Sequence, residues 1–391
     1  MRHLNSTDIE SLSQQFMGNT LAVKPGEHVW IEYQGPDAAP LAEACRAKVT
    51  SLGGIPHMHD LGAQALSSVI GPMNDGELQK FAQAELAEMM QMRCYIRIRD
   101  DDDQRQICLT EEKKEKFHAL REPMTNWRVR NTRWLVTQAP TEGFAKACGM
   151  ELLTFNQFYK DVCLVDYQRM KQAVLPLQKM MAETHRVRIV SPEQETDISF
   201  SIKGIDAIPC TGEYNIPDGE CFTAPVRDSI NGTIKFGPSN YMGTKFGWIK
   251  LVFEDGKVVS STSNNEVNTS KLNAILNMDE GARYVGEFAI NFNPYVLAPT
   301  GSILFDEKIS GGIHFALGAA YDEADNGNKS VIHWDMVHIQ RPEYGGGDIY
   351  FDDRLIRRDG LFVVPELEGL NPKNLLAPEL QSEPDAPRAA L

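Results

Sequence analysis

The segment Ser302-Ile-Leu-Phe-Asp-Glu-Lys-Ile-Ser-Gly-Gly-Ile-His-Phe-Ala-Leu-Gly-Ala-Ala-Tyr321 is followed, after a polar loop, by His333-Trp-Asp335. Because side chains alternate across a β-strand, we expect His333 and Asp335 to share one face, with their Cα atoms roughly 7 Å apart. Imidazole and carboxylate ligands together suit divalent metals such as Zn, Co, Mn or Fe(II), and no cysteine lies nearby to close a structural zinc site. The segment therefore predicts a divalent-metal site.

Two earlier segments each place a glutamate directly after a glycine at the mouth of an apolar run. They are Gly219-Glu220 and Gly286-Glu287. A turn at such a glycine brings the carboxylate onto the edge of a sheet. An unpaired buried charge is expensive, so a cation is the expected partner of these glutamates.

These motifs, in this order, resemble the catalytic half of the aminopeptidase T / aminopeptidase S family of metal-dependent aminopeptidases. The similarity runs from about Arg186 to Pro372 and includes Asn215-Ile-Pro-Asp-Gly-Glu220, Leu304-Phe-Asp-Glu307, His314-Phe-Ala-Leu-Gly-Ala-Ala-Tyr321 and His333-Trp-Asp335. The resemblance implies two divalent metal ions side by side, with Zn, Co, Mn or Mg as candidates. The ligands that it implies are Glu220, Glu287, Glu307, His314, His333 and Asp335.

The resemblance also implies an activity, the release of N-terminal residues from short peptides by a metal-activated water. Two adjacent ions lower the pKa of a shared water, and one of them polarises the scissile carbonyl. Glu287 is the candidate for a carboxylate that bridges the ions, and Tyr321 is the candidate donor to the developing oxyanion. We assign both residues catalytic roles in this hypothesis.

Other functions compete with this one. His314, His333 and Asp335 alone form the ligand set of a non-haem Fe(II) oxygenase, and ring-cleaving dioxygenases of the dihydroxypyridine type resemble this chain distantly. A metal-dependent hydrolase acting on another small amide is a third alternative. Glu220 and Glu287 favour the aminopeptidase, because a single-iron site does not require them.

The composition limits the classes of molecule that this chain can be expected to bind and the compartment in which it is expected to work. The chain has 391 residues and a net charge of −15, which disfavours binding to nucleic acid or to an anionic membrane surface. Its seven cysteines include no close pair and read as free thiols of a reducing compartment. We find no signal peptide and no apolar run of the ~18 residues that a membrane span needs, and we expect a cytoplasmic protein. The family resemblance adds the expectation of a homodimer.

The fold class predicted for the chain is α/β with two domains. Residues 1–185 alternate strand and helix patterns, with strands at residues 28–33, 55–60, 94–99 and 133–138, and this order predicts a mostly parallel, helix-covered sheet. Residues 186–372 carry short strands separated by turn residues and predict a β-rich α+β catalytic domain. A long helical segment near residues 155–184 links the two. Residues 373–391 are predicted to be a mostly disordered tail.

Overall fold

The computed structural model describes residues 4–100, 107–241 and 243–377. The chain divides into two compact units, of which the first comprises Met1–Leu164 and Gly212–Ile216 and the second comprises Val165–Thr211 and Pro217–Leu391. This division falls after Leu164, earlier than the predicted boundary after residue 185, because the helix Tyr167–Glu183 packs against the 3-10 helix Pro365–Leu370 of the second unit.

The first unit is built on a parallel sheet. Its five strands lie in the order Ile55–Asp60, His28–Tyr33, Cys94–Arg99, Arg133–Gln138 and Asn215–Ile216. Its helices are Ser6–Ser13, continued by the π-helix Gln14–Thr20, and Ala39–Ser51, Ala63–Ile70, Asp75–Met89, Glu111–Asn131, Glu142–Ala147 and Leu152–Cys163. The predicted parallel, helix-covered sheet is thus confirmed. None of the described helices is long and apolar enough to cross a membrane.

The second unit contains two larger antiparallel sheets and a two-stranded hairpin. The eight-stranded sheet has the order Lys257–Ser263, Ile249–Glu254, Asn231–Phe236, Thr196–Ser201, Arg186–Ser191, Asp348–Phe351, Arg354–Arg358 and Leu361–Phe362. The five-stranded sheet has the order His333–Ile339, Gly312–Gly318, Val285–Asn291, Glu220–Thr223 and Ile208–Cys210. The hairpin pairs Ser239–Tyr241 with Thr244–Phe246. Besides Tyr167–Glu183, the helices are Glu266–Leu276, Ile303–Asp306 and Pro372–Leu375. This architecture confirms the predicted β-rich α+β class.

The predicted tail, residues 373–391, is described only at its beginning. The short helix Pro372–Leu375 buries Leu375 in the second unit. Residues 378–391 lie outside the described residues.

Aromatic side chains join the two large sheets of the second unit. Phe200 of the eight-stranded sheet packs against Phe288 and Phe315 of the five-stranded sheet, with ring centroids 5.0 and 5.4 Å apart. All three rings are buried. Since neighbouring residues of a strand point to opposite faces, Glu287 and His314 are turned to the face away from this aromatic core. The sheet therefore has one apolar face and one face that carries ligand-type side chains.

A bulge lies where Glu287 enters this sheet. The pairing between Val285–Asn291 and Gly312–Gly318 shifts register between Val285 and Glu287. At the bulge the backbone of Gly286 approaches the next strand so closely that a Cβ would collide with the carbonyl oxygens of Gly318 and Ala319. Bulges of this kind redirect the side chain that follows them. The glycine before Glu287 thus sets where the carboxylate points.

We predict that Gly286→Ala lowers the free energy of unfolding by about 1–3 kcal/mol, because the added methyl group forces the two backbones apart. Gly76→Ala is the matched control. Its Cβ would meet only Asn74 Oδ1 at an ordinary 3.5 Å, and alanine favours the helix Asp75–Met89. Urea unfolding of both variants gives the comparison, and equal stability of the two would contradict the close-approach argument.

Candidate metal centre

Three neighbouring strands of the five-stranded sheet place two carboxylates on either side of an alanine. Glu287, Ala316 and Asp335 are directly opposite one another across the five-stranded sheet. Because the methyl side chain of Ala316 leaves room above the sheet, the flanking carboxylates can approach each other. One ligand atom each from Glu287, His333 and Asp335 lies within 4.8 Å of the others. The predicted same-face placement of His333 and Asp335 is therefore what the strand provides.

Both predicted histidine ligands are directed at Glu287. His314 Nε2 lies 3.2 Å from Glu287 Oε1, and His333 Nε2 lies 3.2 Å from Glu287 Oε2. Asp335 Oδ1 is 3.4 Å from His333 Nε2 and 3.9 Å from His314 Nε2. His314 is almost fully buried, with 1% of its surface exposed. Four side chains thus converge on one small volume, which we call the histidine group: Glu287, His314, His333 and Asp335.

The opposite ring nitrogens of the two histidines contact oxygen acceptors. His333 Nδ1 donates to the carbonyl oxygen of Ala319 at 2.8 Å. His314 Nδ1 lies 3.1 Å from Asn291 Oδ1 and 3.2 Å from the carbonyl oxygen of Glu307. These partners assign the proton of each neutral imidazole to Nδ1, which leaves the Nε2 lone pair facing Glu287. Hydrogen bonds of this kind orient the imidazoles of metal ligands.

The Nε2 lone pairs of the two histidines face the carboxylate oxygens of Glu287, and such groups repel one another unless a positive charge lies between them. Burial alone lowers the pKa of His314, but Glu287, Glu220 and Asp335 outweigh it and raise that pKa to about 9. For His333, Asp335 and Glu287 likewise outweigh burial and raise the pKa. Burial would raise the pKa of Glu287, yet the hydrogen bonds to both imidazoles lower it. Protons on two imidazoles hold the group together here, and a divalent cation suits the same donor atoms.

The other two predicted ligands surround a lysine. Lys308 Nζ lies 2.6 Å from Glu220 Oε1, 3.0 Å from Glu307 Oε1 and 3.5 Å from Asp218 Oδ1. Burial opposes the charge of Lys308, but the three carboxylates outweigh it and raise the pKa of the ammonium well above its ordinary value. We call this set, Asp218, Glu220, Glu307 and Lys308, the lysine group.

Glu220 retains one oxygen that the lysine does not satisfy. Its Oε2 is buried without a hydrogen-bond partner among the described residues and lies 3.7 Å from His314 Nδ1. Burial raises the pKa of Glu220 to about 7, although Lys308 and His314 act in the opposite direction. One ammonium therefore does not fully neutralise this cluster of acids.

Tyr321 stands at the open edge of the histidine group. Its ring centroid lies 4.7 Å from that of His333 and 5.7 Å from that of Phe222. Tyr321 is 47% exposed, whereas the side chains of His333 and Asp335 are 22% and 15% exposed. Loss of solvent around its hydroxyl raises the pKa of that group, and the nearby carboxylates, Glu287 and Asp335 first among them, raise it further. A small molecule can therefore reach the group from the side of Tyr321.

No sequence motif pointed to Lys308 or Asp218 as parts of this region. Asp306-Glu307-Lys308 is a run of three charged residues, and its neighbours Phe305 and Ile309 are both fully buried. Three charged residues flanked by apolar residues are the feature of the sequence that could have indicated a buried Lys308. Alternation along the strand places His338 on the face opposite to His333 and Asp335. It is buried there, with Nδ1 2.7 Å from the carbonyl oxygen of Lys235 and Nε2 3.0 Å from Ser191 Oγ.

Comparisons with known proteins agree on one family. A family model described as thermophilic metalloprotease (M29) matches residues 5–346. Aminopeptidase 2 of Geobacillus stearothermophilus is 32% identical over 165 residues, which cover 37% of this chain and 37% of that protein. Aminopeptidase T of Thermus thermophilus is 32% identical over 168 residues, covering 38% of this chain and 40% of that protein. The aligned segments span well under half of these relatives.

Two solved structures share the fold over most of the chain. Wild-type AmpT from Thermus thermophilus superposes with a TM-score of 0.73 at 19% identity, covering 92% of this chain and 99% of that one. A 2,5-dihydroxypyridine dioxygenase from Pseudomonas putida KT2440 gives a TM-score of 0.61 at 15% identity, covering 93% and 99%. At these identities the likeness concerns the fold alone.

We predict that the metal-free protein loses stability as the pH rises from about 6.5 through about 9. The folded-state pKa of His314, about 9, exceeds its ordinary value of 6.5, so protonation stabilises the folded state below pH 6.5 and this contribution disappears above the folded-state pKa. Glu220, with its pKa raised from 4.5 to about 7, also loses stabilising protonation as the pH rises, but it does so mostly below this window, between pH 4.5 and 7.

The measurement is the melting temperature against pH in the presence of a chelator. His314→Gln should flatten the slope between pH 6.5 and 9. Added Zn²⁺ should raise the melting temperature of the wild type more at pH 9 than at pH 6.5, because the ligands must lose their protons to bind metal. A melting temperature that rises over this window without metal would contradict the assignment.

Proposed function

The chain belongs to the thermophilic metalloprotease (M29) family, and from this premise we propose that it is a metal-dependent aminopeptidase that removes N-terminal residues from short peptides. One observation carries the proposal: two imidazoles of fixed tautomer direct Nε2 at the same buried carboxylate, beside a second carboxylate, Asp335. This donor set suits a borderline divalent metal.

The histidine group would hold the divalent ion, with Zn, Co, Mn and Mg as candidates. A divalent ion bound by such ligands lowers the pKa of a water molecule towards neutrality and polarises a carbonyl group. The protein keeps Glu287 ionised through its contacts with His314 and His333. Asn291 and the carbonyl oxygens of Glu307 and Ala319 fix the two ring orientations. The family resemblance implies two ions and includes Glu220 and Glu307 among their six ligands.

A peptide would enter from the side of Tyr321, because the exposed parts of the region belong to Tyr321, His333 and Asp335. Its N-terminal end would meet a group rich in carboxylates, which favours a cationic α-amino group. A tyrosine hydroxyl is protonated at neutral pH, and the raised pKa of Tyr321 keeps its hydroxyl protonated at higher pH as well. A protonated phenol at this edge would donate a hydrogen bond to the oxyanion that develops on the scissile carbonyl.

We also propose that the protein is a homodimer and that it is located in the cytoplasm. The net charge of −15 accords with a partner that is neither nucleic acid nor an anionic membrane surface. The substrates that we propose are short peptides.

The alternative dioxygenase would use only His314, His333 and Asp335. In a centre of that kind two histidines and one carboxylate leave open positions on iron. Here Glu287 contacts both imidazoles and takes up that space, which favours the peptidase.

We predict that the metal-loaded protein hydrolyses aminoacyl amides and short peptides with a free N-terminus, and that N-acetylated versions of the same compounds resist it. Glu287→Gln keeps the shape of the side chain but removes its charge, so the rate should fall by roughly 10–100-fold or more as metal affinity is lost. Oxygen uptake on a dihydroxylated pyridine by the iron-loaded protein, without any amide hydrolysis, would instead establish the dioxygenase.

A further test concerns Tyr321. Tyr321→Phe removes the hydroxyl and retains the ring contacts with His333 and Phe222, so we expect turnover per bound metal to fall by roughly 10²–10³-fold. Tyr344→Phe is the control, because Tyr344 lies outside the centre and is stacked by Arg341. Unchanged turnover per bound metal in Tyr321→Phe would exclude the oxyanion role.

A further inference from the structure

Lys308 is an internal cation whose position the backbone fixes. Its amide donates to the carbonyl oxygen of Phe305 at 2.9 Å, and its own carbonyl oxygen accepts from the amide of Asn293 at 3.1 Å. The side chain is 1% exposed, so the ammonium group cannot turn out to solvent without unfolding this turn. A buried ammonium needs charged partners, and Asp218, Glu220 and Glu307 supply them.

The ammonium occupies the volume that a second metal ion would need. Ligand atoms of Cys210, Asp218 and Glu220 lie within 4.8 Å of one another and by composition alone resemble a cation site. Lys308 Nζ lies 2.6 Å from one of these residues and 3.5 Å from another. A divalent ion among the same ligands would face the ammonium at close range in a medium of low dielectric constant, where like charges repel strongly.

The ring of His314 lies between Glu220 and two carboxylates of the histidine group, Glu287 and Asp335. Glu287 and Asp335 approach its Nε2 edge, at 3.2 and 3.9 Å. Glu220 approaches the opposite edge, with Oε2 3.7 Å from Nδ1. An ion bound through Nε2 of His314 is therefore on the far side of the imidazole from Glu220. Glu220 therefore approaches His314 from the edge opposite to the one that faces Glu287 and Asp335.

We propose that Lys308 serves as a permanent replacement for the second metal ion, so that the chain binds one divalent ion at the histidine group. The inference rests on the proposed function, in that it concerns the metal content of the same centre. Glu220 and Glu307 then act as counter-ions of Lys308 and hold the lysine group together. This differs from the two-ion arrangement that the family resemblance implies.

Zinc stoichiometry of the full-length protein tests this inference. Wild type and variants are stripped with a chelator, dialysed, and titrated with Zn²⁺ by calorimetry, and bound zinc per chain is measured by mass spectrometry. Wild type should bind one ion per chain. Lys308→Ala removes the ammonium and opens room among three carboxylates, so it should bind two. Lys329→Ala, which removes an exposed lysine paired with Asp325, should still bind one.

Glu220→Gln supplies a second measurement that does not require the lysine variant to fold. It preserves the shape of the side chain and leaves Lys308 two carboxylates, and it should still bind one ion. Glu287→Gln should lose that ion. Two ions in the wild type, one ion in folded Lys308→Ala, or loss of zinc from Glu220→Gln would each overturn the inference.

The result for Lys308 is separate from the result for the activity. One ion per chain together with no hydrolysis of any peptide or aminoacyl amide would refute the proposed function and leave the role of Lys308 in place. Two ions together with hydrolysis would do the reverse.

Discussion

The neutralisation of buried carboxylates is the constraint on which the centre of the second unit depends. Asp218, Glu220 and Glu287 are each at most 5% exposed, and an ionised carboxylate without a partner is costly at such depth. The protein meets this constraint in two ways. Lys308 supplies a covalently attached positive charge to one set of acids. For Glu287, the imidazoles of His314 and His333 supply protons that a divalent ion can displace.

The antiparallel sheet makes these two solutions possible side by side. Alternation along its strands gives one face to the aromatic contact of Phe200, Phe288 and Phe315, and the opposite face to Glu287 and His314. The rigid aromatic face limits how far the polar face can relax, because packed cores do not deform continuously. The geometry of the ligands is therefore a property of the sheet and not of a loop. The bulge at Gly286 then adjusts where the glutamate points.

Periodicity and turn chemistry predicted much of this arrangement. The alternation of strands and helices predicted the parallel sheet of the first unit, and the His-x-Asp spacing predicted that His333 and Asp335 share a face. Long-range placement was not predictable in the same way. Lys308 follows two acids in a short turn, and only the tertiary structure carries it between Glu220 and Asp218, residues some ninety positions earlier. A local sequence pattern does not indicate which charged residues from distant parts of the chain will contact a lysine.

The most direct test of this account is a crystal structure of the zinc-loaded protein with anomalous diffraction at the zinc edge. We predict one anomalous peak per chain, bounded by Glu287, His314, His333 and Asp335, with Lys308 Nζ still placed among Asp218, Glu220 and Glu307. A peak between Glu220 and Glu307, with the lysine displaced, would contradict the account. A loaded crystal without a peak at the histidine group would contradict it as well.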